Sequence, residues 1–271
     1  MSDSALSLSA LKARLAAYGA APKEDGAERF GFGHDGLDNY LDGGLKRAQL
    51  HEIFADDAED GGAAAGFAAM LGLCARPAGR PLLWLRTRKA EKRGGRFYAP
   101  GFIELGGDPD RLLLAIVADD LALLRGAGDA LRCSGLGAVI AECWGRPACL
   151  DLTASRRLTL AASDSGVTAL LLRREAEPTP STADTRWSVR AAPSRALEAR
   201  APGPPMLDLT LLRRRGGAAG RSWRLEWDRE RKRFAEPARE PAQEQTIPGA
   251  VVSVPAGQSP ADRAPALAGT G

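Results

Sequence analysis

Two spacings of apolar residues alternate through the first part of the chain, to about residue 175. Short apolar runs appear around Leu50, Ile53 and Phe54, then over 81–85 (PLLWL), 112–117, 138–144 (AVIAECW) and 167–172 (VTALLL). Each has the length and flanks of a buried strand. Between them lie stretches with helical spacing: an alanine-rich one over 61–74 carrying Phe67, Met70, Leu71 and Leu73, one with Leu121, Leu123, Leu124 and Leu131, and one over 150–165. Before the first strand, residues 7–18 set Leu8, Leu11, Leu15 and Tyr18 at steps of three and four, which gives a helix with one apolar face. Strands alternating with helices predict an α/β fold with a mainly parallel sheet and right-handed crossovers.

Beyond Arg174 the pattern changes. A Pro, Thr and Ser loop over 177–185 precedes a strand at 187–191 and a linker at 193–205. Strict alternation follows. Leu207, Leu209 and Leu211 are interleaved with Asp208 and Thr210, and Trp223, Leu225 and Trp227 with Arg224 and Glu226, so a C-terminal antiparallel hairpin turning over 216–220 is expected. Of 18 prolines, 12 lie after Arg174. The last residues are rich in Pro, Ala and Gly and are expected to be disordered. The predicted organisation is an N-terminal helix and linker over 1–25, one domain over 26–234, and a disordered tail over 235–271.

Composition narrows the function classes. No apolar run approaches the ~18 residues of a membrane span, and no basic-then-hydrophobic leader opens the chain, so no membrane association and a cytoplasmic location are expected. Cys74, Cys133, Cys143 and Cys149 form no CxxC pair, and only His34 and His51 could assist them, so no metal site and reduced thiols are expected. The net charge is only +3. Its distribution says more: residues 200–234 hold ten basic residues against Asp208, Glu226, Asp228 and Glu230. Arg213, Arg214, Arg215, Arg221, Arg231, Lys232 and Arg233, near tryptophans, are candidates to grip single-stranded DNA, to dock an acidic protein, or to form a solvated face.

The segment between the first strand and the alanine-rich helix has the spacing of a phosphate-binding loop but not its residues. Such a loop needs glycines, a Lys for the outer phosphates and a hydroxyl for magnesium. Here it reads Ala55, Asp56, Asp57, Ala58, Glu59, Asp60, Gly61, Gly62, with no Lys, Arg, Ser or Thr between Arg47 and Arg76. Four carboxylates would face a triphosphate of about four negative charges, at ~1 kcal/mol per close pair in water and ~4 kcal/mol at a protein surface. ATP should be repelled. The plainer reading is an acidic turn at a helix N-terminus, where carboxylates are favourable.

The run over 36–55, GLDNYLDGGLKRAQLHEIFA, resembles the opening of a RecA core, where a Leu-Asp pair, a Gly-Gly-Leu turn and a Glu-Ile-aromatic strand lead into the phosphate loop. The stretch over 98–111, YAPGFIELGGDPDR, is similar to a later RecA segment. With its phosphate loop erased and its arginine-rich end, the chain resembles the ImuA family, RecA-like inducible mutagenesis proteins of bacterial translesion synthesis, over about residues 5–234. The resemblance puts Glu142 at the Walker B position and Glu91 near that of the water-activating glutamate, where a solvated basic loop over 86–93 is the simpler account.

That resemblance implies a non-catalytic adaptor of the SOS response, with no cofactor and a nucleoid association on DNA damage. Its implied partners are ImuB, a Y-family polymerase relative, an error-prone polymerase III α-type subunit, and RecA. Leu8, Leu11 and Leu15 are candidate contacts, because in RecA-like proteins the N-terminal helix packs on a neighbouring subunit; folding back on its own core is the alternative. Two other functions stand beside the adaptor: a RecA-like DNA-binding protein or ATPase of repair, and a SulA-like inhibitor of cell division.

Overall fold

The computed structural model describes residues 8–18, 29–195, 197, 201 and 203–237. The chain enters through helix α1 (Leu8–Ala17), then a two-stranded ribbon, β1 (Arg29–Phe30) and β2 (Leu45–Lys46), around the short helix α2 (Asp35–Tyr40). Gly44 has φ 104°, and a Cβ there would strike the Phe30 carbonyl, so the turn into β2 requires glycine. Then come β3 (Leu50–Ala55), α3 (Gly61–Ala75), β4 (Leu82–Thr87), α4 (Arg88–Gly94), α5 (Ala99–Glu104), β5 (Leu112–Val117), α6 (Asp120–Leu131), β6 (Ala138–Trp144), α7 (Leu152–Ser165) and β7 (Thr168–Arg174). The rest is strand: β8 (Thr185–Ala192), β9 (Met206–Arg214), β10 (Ser222–Asp228) and β11 (Arg233–Ala235).

These form a nine-stranded sheet in the order β11-β10-β9-β8-β3-β7-β6-β4-β5. From β8 to β5 every pairing is parallel, and β9, β10 and β11 extend the sheet by antiparallel pairing. The burial of the elements matches the patterns that predicted them. Every residue of β4 and β6 is buried, as a strand covered on both faces requires, whereas β9 buries Leu207, Leu209 and Leu211 and β10 buries Trp223, Leu225 and Trp227 in strict alternation. Helix α3 and the segment carrying Phe30, Phe32, Leu37 and Leu41 cover one face; α1, α6 and α7 cover the other.

Of the two placements open to the N-terminal helix, α1 takes the one on its own sheet. Leu15 is buried against β5 and α6, and its carbonyl accepts a contact from the Cys133 thiol at 3.5 Å. The side chains of Leu8 and Leu11, and the linker expected up to residue 25, lie outside the described residues. The compact unit runs to Pro237, and β11 carries it one residue past the expected boundary at 234. From Ala238 the expected tail lies outside the described residues. Among the described residues no helix is long and apolar enough to cross a membrane.

One buried titratable group links the fold to pH. The His51 imidazole, fully buried, contacts the Thr185 hydroxyl and the Lys46 carbonyl, each at 2.8 Å. Burial lowers its pKa below the ordinary 6.5, outweighing the hydrogen bond to the Lys46 carbonyl and the Asp184 charge, which raise it, while the Lys46 charge lowers it by a smaller amount. The unfolded chain therefore takes up a proton near 6.5 that the folded one refuses, so stability is full above that pH and falls as pH drops below it. Between about pH 7 and about pH 5.5 the urea midpoint should fall more steeply in the wild type than in His51→Gln. Equal slopes would acquit His51.

Candidate functional site

In an open parallel sheet ligands gather at the carboxyl ends of the strands, where the connections diverge. Here side-chain alternation sends Trp84 and Arg86 of β4, Glu142 and Trp144 of β6 and Arg174 of β7 to the face covered by α3. Strand register then sets Arg86 opposite Glu142, and Trp144 opposite Arg174.

Glu142 stands 1% exposed at the centre of this group. Its Oε2 accepts from Arg86 Nε at 2.7 Å and from Trp84 Nε1 at 3.1 Å, and its Oε1 accepts from Arg86 Nη2 at 3.3 Å and Arg174 Nη1 at 3.4 Å. Arg86 is itself held by the Gly95 and Ala90 carbonyls at 2.9 and 3.4 Å. The Arg174 guanidinium lies 4.4 Å from the Trp144 ring, and Arg93 lies 5.4 Å from the same ring while pairing with Glu175 at 3.0 Å. The Glu142 carboxylate, which the resemblance sets at the Walker B position, is thus enclosed by two arginines. A buried charge has to be paired in this way, because an unpaired one carries a large desolvation penalty.

The acidic loop is folded onto β8 and onto itself. The Asp56 amide donates to the Val189 carbonyl at 2.9 Å, the Asp60 amide to the Asp57 carbonyl at 3.1 Å, and the Gly61 amide to the Ala58 carbonyl at 3.3 Å. The Asp57 amide donates to Asp60 Oδ2 at 3.3 Å. Of the loop amides, those of Asp57, Asp60 and Gly61 are therefore engaged inside the loop. The carboxylates act as anchors: Asp56 accepts from Ser188 at 2.7 Å and from Arg190, and Asp60 Oδ1 accepts from the Ala191 amide at 2.8 Å. The Ser188 hydroxyl first, and Arg190 second, hold the Asp56 carboxyl below the usual carboxylate range. The acidic turn does stand at the N-terminus of α3, with Asp60 as its N-cap residue, but the Asp60 side chain makes no cap hydrogen bond and ties the loop to β8 instead. Asp56, Asp57 and Asp60 bring carboxylate oxygens within 4.8 Å of one another, but those of Asp56 and Asp60 already have these partners. Glu59 is exposed, and Gly61 packs so closely on Arg174 that a Cβ would meet its guanidinium; Gly62 opens on the same space.

Other expected positions fall elsewhere. The basic loop read over 86–93 is corrected: Arg86 is inside β4, and α4 begins at Arg88 with Glu91 in its first turn. In the hairpin, Arg213 donates to the Ser181 carbonyl at 2.8 Å, Arg214 donates to the Tyr40 carbonyl at 2.7 Å and pairs with Asp42, and Arg231 pairs with Asp228 at 3.0 Å. Arg221 lies over Tyr40 and Trp223 at 5.2 and 5.4 Å. Arg215, Lys232 and Arg233 are exposed or nearly so, on the turn side of β9 and at the entry to β11. Much of the basic cluster therefore holds its own domain together. Sequence reading missed Arg86 and Arg174. The signal was present as charged residues two positions beyond buried Trp84 and Leu172, hence on the same face of their strands.

No family model matches the chain. Over 213 residues it is 32% identical to Protein ImuA of Caulobacter vibrioides strain NA1000 / CB15N, spanning 73% of this chain and 77% of that protein. The match to Protein ImuA of strain ATCC 19089 / CIP 103742 / CB 15 has the same identity and coverage. Among solved structures, the RadB recombinase superposes with a TM-score of 0.51 at 14% identity, covering 76% of this chain and 99% of that one. The fold is RecA-like, a mostly parallel sheet between helices with an antiparallel C-terminal extension.

Proposed function

The chain belongs to the ImuA family, and from that membership we propose that it serves as a non-catalytic adaptor in SOS-induced, error-prone translesion synthesis. In this reading the RecA-like body offers surfaces to protein partners and turns over no nucleotide. Its partners are ImuB, the error-prone polymerase III α-type subunit and RecA.

The observation that carries the reading is the enclosure of Glu142 by Arg86 and Arg174. Magnesium-dependent phosphoryl transfer needs that carboxylate free to hold the metal's water and a loop cation on the outer phosphates. Here the carboxylate is committed and the loop is anionic. Arg174, packed beside Gly61 at the first turn of α3, is a cation that a nucleotide-binding protein could use, yet its guanidinium is engaged by Glu142 and Trp144.

Equilibrium dialysis with labelled ATP and magnesium tests this directly. No saturable binding is expected up to about 1 mM, and micromolar affinity would overturn the adaptor reading.

A further inference from the structure

We propose that the cavity beside Glu142 is a docking pocket for a short acidic peptide carrying an apolar anchor. This inference rests on the adaptor reading and supplies the chemistry of one of its partners.

The cavity measures about 340 Å³, within the range of pockets that take a small ligand or an anchoring side chain. Its lining is largely aromatic and small: Trp84, Phe97, Tyr98, Phe102 and Leu105, with Ala65 of α3 behind them. Tyr98 stands 72% exposed beside this lining, and Ile103 of the same segment is 51% exposed. Phe97 is already positioned by ring contacts with Trp84 and Phe102, at 5.4 and 5.8 Å between centroids. Pre-set aromatic walls of this kind are where anchoring residues of a partner gain most of their affinity.

Charge selects the partner. Arg86, Arg96 and Arg174 line the cavity, and the only carboxylate in the lining, Glu142, is already neutralised by two of them. Helix α4, which ends at the lining residue Gly94, adds exposed Arg88, Lys89 and Lys92 against Glu91, while its Arg93 pairs with Glu175. An apolar hollow edged by cations complements a hydrophobic side chain flanked by Asp or Glu. A long polyanion such as nucleic acid fits less well, since exposed Asp56, Asp57 and Glu59 stand at the neighbouring strand end and would repel its next phosphates. A free nucleotide would compete for loop amides of which Asp57, Asp60 and Gly61 are already bonded within the loop.

The test uses the full chain and a fluorescein-labelled octapeptide with Leu-Phe at its centre and three carboxylate residues on either side, read by anisotropy. Binding is expected, with little or none for the same peptide bearing amides in place of carboxylates. Tyr98→Ala should weaken it at least about tenfold, and the double charge reversal Lys89→Glu with Lys92→Glu about tenfold, with steeper loss in salt for the wild type. All three side chains are exposed, so melting by circular dichroism should be unchanged. Binding that neither variant weakens overturns the assignment. Failure of the peptide to bind at about 1 mM, with ATP also failing to bind, overturns the pocket and leaves the adaptor reading standing. ATP binding that Tyr98→Ala weakens would make the cavity a nucleotide site and overturn both.

Discussion

Arg86→Ala is expected to lower the unfolding free energy by about 3–5 kcal/mol, the range found when one partner of a buried ion pair is removed. The Glu142 side chain is 1% exposed and that of Arg86 is 5% exposed, so solvent cannot replace the lost partner. Arg174 at 3.4 Å and the Trp84 indole at 3.1 Å would remain, but the bond of best geometry, at 2.7 Å, would be gone. Urea denaturation of Arg86→Ala, Glu142→Gln and the double variant forms a cycle. The double variant should be less destabilised than the sum of the singles, because with the Glu142 charge also removed the loss of Arg86 leaves no uncompensated carboxylate behind. An additive cycle would mean the two groups do not act as a unit. As an internal control, Arg224→Ala, which opens an exposed pair with Asp208, should leave the midpoint unchanged.

Phe234→Ala should destabilise by about 3–5 kcal/mol, the usual cost of emptying a buried phenylalanine site. Its side chain is 0% exposed and meets Trp227, Phe32 and Phe67 at ring separations of 4.8, 5.5 and 5.7 Å. The strand that carries it, β11, is three residues long and is secured by pairing with β10 and by the Phe234 amide donating to the Phe32 carbonyl at 2.7 Å. Truncation after Pro237 should therefore leave thermal unfolding where it is, and truncation after Asp228 should abolish the cooperative transition. If both truncations melt alike, β11 is not part of the folding unit.

The two experiments probe regions of very different legibility. In the hairpin, Leu207, Leu209, Leu211, Trp223, Leu225 and Trp227 announce their inward face by spacing alone, and all six are buried. The sheet strands are equally plain, since an apolar run long enough for a strand and too short for a helix has few other uses. At the site the local signal misleads. Five basic residues within 86–93 read as a solvated loop, yet Arg86 is buried, because its partner Glu142 lies 56 residues further along the chain. The loop acids read as a turn at a helix N-terminus, where Asp60 does stand, but spacing could not show that their partners Ser188, Arg190 and Ala191 come from a strand more than a hundred residues away. The hairpin arginines read as a free basic surface, yet several close on Tyr40, Asp42 and Ser181.

Composition and spacing were therefore enough to determine the layered α/β body, its antiparallel extension and the absence of Lys, Arg, Ser and Thr between Arg47 and Arg76, because these depend on each residue's own size, charge and period. Only the folded chain decided what the remaining charges do. Ion pairs form between strands adjacent in the sheet, and the crossover connections make neighbours of residues far apart in sequence, so Glu142, Arg86 and Arg174 become one cluster only after the strands are laid side by side.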